Sequence, residues 1–163
     1  MAEQTKTEAE ARETLAKLVD AERFCMLVTH GEGGILVSRP MSVQQRTDDW
    51  DLLFVTQRST AVAQQSDGKP VNLSFIGKGS FVSISGTGRI ENDEAKKAEL
   101  WNVFNEAYTE GGPENPDNVI LTVKAESAEY WDSPNSVVTL VGVLAAAVTK
   151  APPPSGDNAQ VDL

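Results

Sequence analysis

Apolar residues recur at helical spacing near the start of the chain. Ala11, Leu15, Leu18 and Val19 share one stripe, with Glu8, Glu10, Glu13 and Lys17 outside it, which predicts an amphipathic helix. The period then shortens. Phe24 to Thr29, Ile35 to Val43 and Leu52 to Thr56 are short β-rich runs, separated by Gly31-Glu32-Gly33-Gly34 and by Thr47-Asp48-Asp49. These separators are turn chemistry, so neighbouring runs are expected to pair as antiparallel hairpins. A short helix over Ser59 to Gln65 is closed by Ser66-Asp67-Gly68-Lys69-Pro70, and two further strands follow, Val71 to Ile76 and Phe81 to Ile90. In the second of these, Phe81, Ser83, Ser85 and Thr87 alternate with Val82, Ile84 and Gly86, the pattern of a sheet with two unlike faces. A helix from about Asp93 to Tyr108 would carry Leu100, Val103, Phe104 and Ala107 on one side. After the loop Glu110 to Asp117 come Val119 to Lys124 and then Ala128 to Trp131, and the last ordered element is expected over Ser136 to Lys150.

Six short antiparallel strands with hairpin connections and helices packed outside predict a mainly β fold, a small closed or nearly closed β-barrel. The helices are too few, and wrongly placed, for a parallel doubly wound sheet. A single domain is expected over residues 1–150. The segment 151–163, with Pro152-Pro153-Pro154 and few apolar groups, is expected to be a disordered tail.

Composition narrows the function classes. The chain has 163 residues, enough for one domain with a real core. Its 14 basic and 24 acidic residues give a formal net charge of −10, and no basic stripe appears. This argues against nucleic acid as a partner. The N-terminal stretch is charged, with no apolar signal segment, and the apolar run Val137 to Val148 is too short to span a membrane. The single cysteine, Cys25, lies in the apolar run Phe24 to Val28; it reads as a core residue in a reducing, cytoplasmic setting. His30 is the only histidine, so no metal site is expected. No serine sits in a Gly-x-Ser-x-Gly elbow either.

One stretch carries candidate chemistry. Arg39-Pro40-Met41 continues an apolar strand, and Val55-Thr56-Gln57-Arg58-Ser59-Thr60 ends the next strand and opens a helix. A strand arginine facing a hydroxyl-rich helix start can hold a phosphate through the guanidinium and free backbone N–H groups. The alternative is a solvated arginine beside an ordinary N-cap. Trp131, in Glu129-Tyr130-Trp131-Asp132-Ser133-Pro134, suits either core or interface packing or stacking on a flat ring.

The ordered set of these segments resembles the pyridoxamine 5′-phosphate oxidase-like, FMN-binding split-barrel superfamily, and within it the bacterial general stress protein group. The pieces that carry the resemblance are Ser38-Arg39-Pro40-Met41, Leu53 to Thr56 with Ser59-Thr60, Val71 to Phe75, Phe81 to Gly88, Leu100-Trp101, Gly112-Pro113 with Asn115-Pro116-Asp117, and Glu129 to Pro134. The resemblance implies a six-stranded antiparallel split barrel and a homodimer with two flavin sites in the dimer interface, FMN being the expected flavin and FAD the alternative. It implies that Arg39 contacts the flavin phosphate or ribityl chain and that Met41 lies against the ring. Gln44 stands where many relatives have lysine. Val55 and Thr56 would offer backbone and hydroxyl contacts, Ser59 and Thr60 would hold the phosphate, and Trp131 would border the site at the subunit boundary.

Two departures accompany the resemblance. Where relatives commonly carry Arg-Lys after the phosphate-binding serine, this chain has Ala61-Val62, so a lysine restored at Val62 is expected to tighten FMN binding. Where relatives often have Trp-Phe in the second long helix, it has Ala107-Tyr108. The expected function is a flavin-binding general stress protein, with a reductase of unknown substrate or a flavin reservoir as its two forms. Pyridoxamine 5′-phosphate oxidase activity is not expected, because no arginine–histidine pair stands near the C-terminus. The competing readings are a cofactor-free split-barrel dimer that acts by protein interaction and a deazaflavin-dependent reductase; the second lacks the basic patch it would need.

Overall fold

A computed structural model of the chain describes residues 6–133 and 156–163. Helix α1 (Glu8–Asp20) begins with a capping box: Thr7 Oγ1 accepts from the Glu10 backbone N–H, and the Glu10 carboxylate accepts from the Thr7 N–H. It buries Ala11, Leu15 and Val19, the stripe expected from the sequence. The strands are β1 (Phe24–His30), β2 (Leu36–Ser42), β3 (Gln45–Arg46), β4 (Asp51–Gln57), β5 (Pro70–Ile76), β6 (Ser80–Glu91), β7 (Asn118–Asp132) and β8 (Asp157–Asp162). Helix α2 (Ala61–Ser66) follows β4, while α3 (Glu94–Leu100) and α4 (Val103–Tyr108) lie between β6 and β7.

One antiparallel sheet has the order β2-β1-β5-β6-β7-β4-β3, with β8 added to β7. The curled sheet with flanking helices is the mainly β split-barrel class expected, with eight strands among the described residues where six were expected. The two added strands are β3 and β8. The run from Ile35 to Val43 is followed by a separate short strand at Gln45–Arg46, which pairs with Leu53 and Leu52. Val119 to Trp131 is a single strand, and the gap read from sequence near Ala125 to Ser127 is a register shift opposite Ser85 and Gly86. There the two backbones approach closely: a Cβ on Gly86 would lie 2.2 Å from the Lys124 carbonyl oxygen, a contact only glycine avoids.

Three expectations are corrected. The second and third β-rich runs do not form a hairpin: β4 pairs with β7 along its length, Phe54 opposite Leu121, and among the described residues β2 pairs only with β1. Register with a distant strand, set by buried faces on both sides, overrides the nearby turn. The helix expected from Asp93 to Tyr108 breaks at Trp101 and Asn102, because the Asn102 side chain accepts from the backbone N–H groups of Phe104 and Asn105 and starts a new helix. Its expected apolar stripe breaks with it, and Val103 is 75% exposed. Residues 157–162, expected within a disordered tail, form β8, whose Val161 is buried opposite Ala128. The alternation in Asn158-Ala159-Gln160-Val161 carries that strand. The ordered element expected over Ser136 to Lys150 lies outside the described residues.

The core runs from α1 across the inner sheet face through Leu27, Leu73, Phe75, Ile84, Leu121 and Tyr130. Cys25 belongs to it, and burial pushes its thiol up to about 12 from an ordinary 9.0. At neutral pH it is a protonated, buried thiol and a poor nucleophile.

Candidate functional site

Where the curled sheet comes round on itself, the edge of β2 faces β4 without pairing along its length. The chain leaves β2 at Ser42, crosses through Val43 and Gln44, and joins β4 only there, the Gln44 N–H donating to the Leu53 carbonyl at 2.8 Å. Beyond that point the barrel is split. Pro40 lies in the edge strand β2, a place where its missing N–H leaves no ladder bond unmade.

The seam opens into a cleft of about 340 Å³, at the small end of the range for sites that hold drug-sized ligands. One wall is Pro40, Met41, Ser42 and Gln44; the facing wall is Val55, Thr56, Gln57 and Thr60. Helix α4 roofs it with Phe104, Asn105, Tyr108 and Thr109. Phe104 fixes the roof: its ring meets Phe24 edge-on at 6.1 Å between centroids and lies under the Arg23 guanidinium at 4.3 Å. Three amides tie roof to wall. Gln44 Oε1 accepts from Asn102 Nδ2 and from Asn105 Nδ2, while Gln44 Nε2 donates to the Ser42 carbonyl. Both asparagines donate to this oxygen, so the position needs an acceptor, which lysine lacks. Ser42 Oγ, on the cleft wall, makes no hydrogen bond among the described residues.

The structure thus brings together Met41, Gln44, Val55, Thr56 and Thr60 of the residues singled out from sequence. The other three stand elsewhere. Arg39 shares the inner sheet face, where its Nη1 donates to Thr29 Oγ1 at 2.9 Å and to Gln65 Oε1 at 3.1 Å. Ser59 gives its backbone N–H and its hydroxyl to the Asp117 carboxylate, at 3.1 and 2.8 Å. Trp131 is 40% exposed at the end of β7, opposite Phe81 and Asn158. Thr60 caps α2 in the ordinary manner, accepting from the Ala63 N–H and donating to the Gln57 carbonyl at 2.6 Å. Val62 faces inward and is 9% exposed. Sequence reasoning missed the roof, Phe104 and Asn105 above all, and Phe24 against which Phe104 packs. The helix-breaking Asn102 was the available signal: an asparagine inside an apparent helix is a candidate new N-cap.

The cleft thus stands at the open seam of the curled sheet, between the β2 edge and the helix start after β4. The family model described as pyridoxamine 5′-phosphate oxidase like matches residues 10–154. The chain belongs to that family. Among family members of known structure, the general stress FMN/FAD binding protein from the phytopathogen Xanthomonas citri is 32% identical, with a TM-score of 0.67 over 78% of this chain and 92% of that one. A protein related to general stress protein 26 of Bacillus subtilis, from Clostridium acetobutylicum, is 21% identical and shares the fold with a TM-score of 0.68, covering 97% of both chains. Protein bli-3 of Neurospora crassa is 27% identical over 152 residues, 85% of this chain and 73% of that protein. The resemblance to the general stress group therefore holds for this member of the family. Among the described residues no helix is long and apolar enough to cross a membrane, and no group of three or more metal-ligating side chains gathers.

Proposed function

We propose that this family member binds a flavin in the seam cleft, FMN being the expected form and FAD the alternative. The observation that carries the reading is the cleft itself: five positions expected to contact a flavin line one cavity whose walls are mostly apolar. Met41, Val55 and Phe104 suit the faces of a planar ring. The Ser42 hydroxyl, unpartnered among the described residues, suits its carbonyl and ring-nitrogen edge. A bound isoalloxazine would supply redox chemistry, and the protein would supply position and exclusion of water. Among the cleft residues only Tyr108 is ionisable, and it stands 83% exposed at the mouth, so an oxidoreductase built on this cleft would draw its protons from the flavin or from solvent.

The test is a titration of purified protein with FMN, read by flavin fluorescence and by the absorbance of the bound ring. Val55→Trp, which fills the cleft from one wall, should abolish binding while the circular dichroism of the sheet is unchanged. Equal binding by the variant would put the flavin outside this cleft, and no binding by the wild-type protein would overturn the reading.

The same reading includes a homodimer in a reducing, cytoplasmic setting, which suits a lone buried thiol. Ile76, Phe81 and Trp131 are exposed and lie opposite one another across β5, β6 and β7. A contiguous apolar patch of this kind calls for cover, and pairing with a second copy is the commonest solution. Sedimentation equilibrium at micromolar concentration should give twice the chain mass; the mass of one chain would rule the dimer out.

A further inference from the structure

We propose that Gln44 is a positioning residue for the ring site: it latches helix α4 over the cleft and so sets where Phe104 covers a planar ligand. The inference rests on the flavin reading above and deepens it, from a cleft that admits a flat ring to the side chain that keeps its roof in place.

Helix α4 has little burial to hold it. Val103 and Tyr108 are exposed, and Asn105 is its one buried residue. The chain breaks just before it, at Trp101 and Asn102, so the line of α3 stops there. Towards the cleft the roof is attached by side chains: Phe104 against Phe24, and the amides of Asn102 and Asn105 on Gln44.

The orientation of these amides follows from the helix start. Asn102 turns its Oδ1 to the N–H groups of Phe104 and Asn105, at 2.9 and 3.4 Å, because those are free donors of the first turn. Its Nδ2 is left as a donor, aimed at Gln44 Oε1 and, at 3.2 Å, at the Leu100 carbonyl. Asn105 Nδ2 brings a second donor to the same Gln44 oxygen at 3.3 Å. Gln44 therefore answers with its carbonyl end, and its Nε2 falls on the Ser42 carbonyl at 3.0 Å. Asn102 itself stands behind Gln44, lining a separate hollow with Arg23 and Arg46. Its route to a ring in the cleft is through the helix it caps.

The polarity of this latch can be reversed. Asn102→Asp keeps the cap, since a carboxylate accepts from the same N–H groups, and sets an acceptor against the Gln44 oxygen. Gln44→Lys keeps a donor for the Ser42 carbonyl and sets an ammonium against Asn102 Nδ2. Made together, the two changes face an ammonium with a carboxylate, and the latch closes again.

Riboflavin is the probe, because it is uncharged and the new charges then act on it only through the roof. Its affinity is measured by fluorescence quenching for the wild-type chain, each single variant and the pair. Hydrogen exchange of the α4 amides is followed in parallel without ligand, with exchange in β6 and β7 reporting that each variant is folded. Each single variant should weaken riboflavin about ten-fold, the worth of the hydrogen bonds lost, and speed exchange in α4. The pair should recover slow exchange and bind within about three-fold of wild type, where independent effects would multiply to a loss of roughly a hundred-fold. Should Asn102→Asp alone fold poorly, Gln44→Lys against the pair carries the same comparison. Single variants that bind as wild type does, a pair weakened by the product of the two, or weakened binding with α4 exchange unchanged overturns the inference and leaves flavin binding intact. Binding of no flavin by the wild-type protein overturns the flavin reading and this role with it.

Discussion

Val62→Lys is expected to destabilise the fold by about 3 kcal/mol or more, the cost of forcing an ammonium into, or out of, an apolar environment. From sequence alone the same substitution looked helpful, because position 62 falls in the first turn of a helix beside a supposed phosphate. The structure reverses the expectation. Val62 packs with the core cluster on the inner face of α2, while its neighbour Ala61 is exposed. A lysine stem can snorkel, but a short helix of six residues pinned between Thr60 and Ser66 has little freedom to turn. Ala61→Lys should be nearly neutral. Chemical denaturation of the two variants side by side checks this, and a Val62→Lys midpoint equal to that of Ala61→Lys would show that Val62 is not a core residue.

Lys97→Ala should cost a similar amount, about 3 kcal/mol or more, from a cavity plus two orphaned carbonyls. Lys97 is fully buried in α3, and its ammonium donates to the Asn118 carbonyl at 2.8 Å and the Asn115 carbonyl at 3.2 Å. No carboxylate pairs with it among the described residues. Around it, Asn118 Nδ2 donates to the carbonyls of Glu110 and Gly112, at 2.9 and 2.7 Å. The loop between α4 and β7 thus satisfies its backbone through side chains, in place of a ladder. A variant with an unchanged unfolding midpoint would mean that solvent can satisfy both carbonyls.

The two variants divide what is local from what is not. The stripe of α1, its capping box, the alternating faces of β6 and the N-cap of α2 are written in residues within a few positions of one another. Side chains at i and i+2, or i and i+4, meet whatever the rest of the chain does. These elements were legible at once. So was the family, through short segments in a characteristic order, and with it the group of positions 41, 44, 55, 56 and 60 that the seam brings together.

The break at Asn102 was legible in principle but masked. Leu100, Val103, Phe104 and Ala107 imitate one continuous stripe, and only the cap geometry shows that the chain starts again. Strand β8 was obscured by the prolines just before it, which dominate the composition of the segment.

Strand order belonged to the tertiary structure alone. β4 reaches past its neighbours in sequence to pair with β7, because both present buried residues that only a curled sheet can enclose together. The direction in which a half-buried side chain points is decided the same way. Arg39 looked like a phosphate ligand, and Ser59 like its helper, because residue type and spacing suggest a partner without excluding another. Thr29, Gln65 and Asp117 lie too far along the chain for any local pattern to reveal them. Their arrival beside those donors is a consequence of sheet closure and loop packing. The sequence by itself determined the locally patterned elements, the class of barrel and five of the positions that the seam brings together; the fold decided the strand order, the remaining lining of the cleft and which hydrogen bonds were left for a ligand.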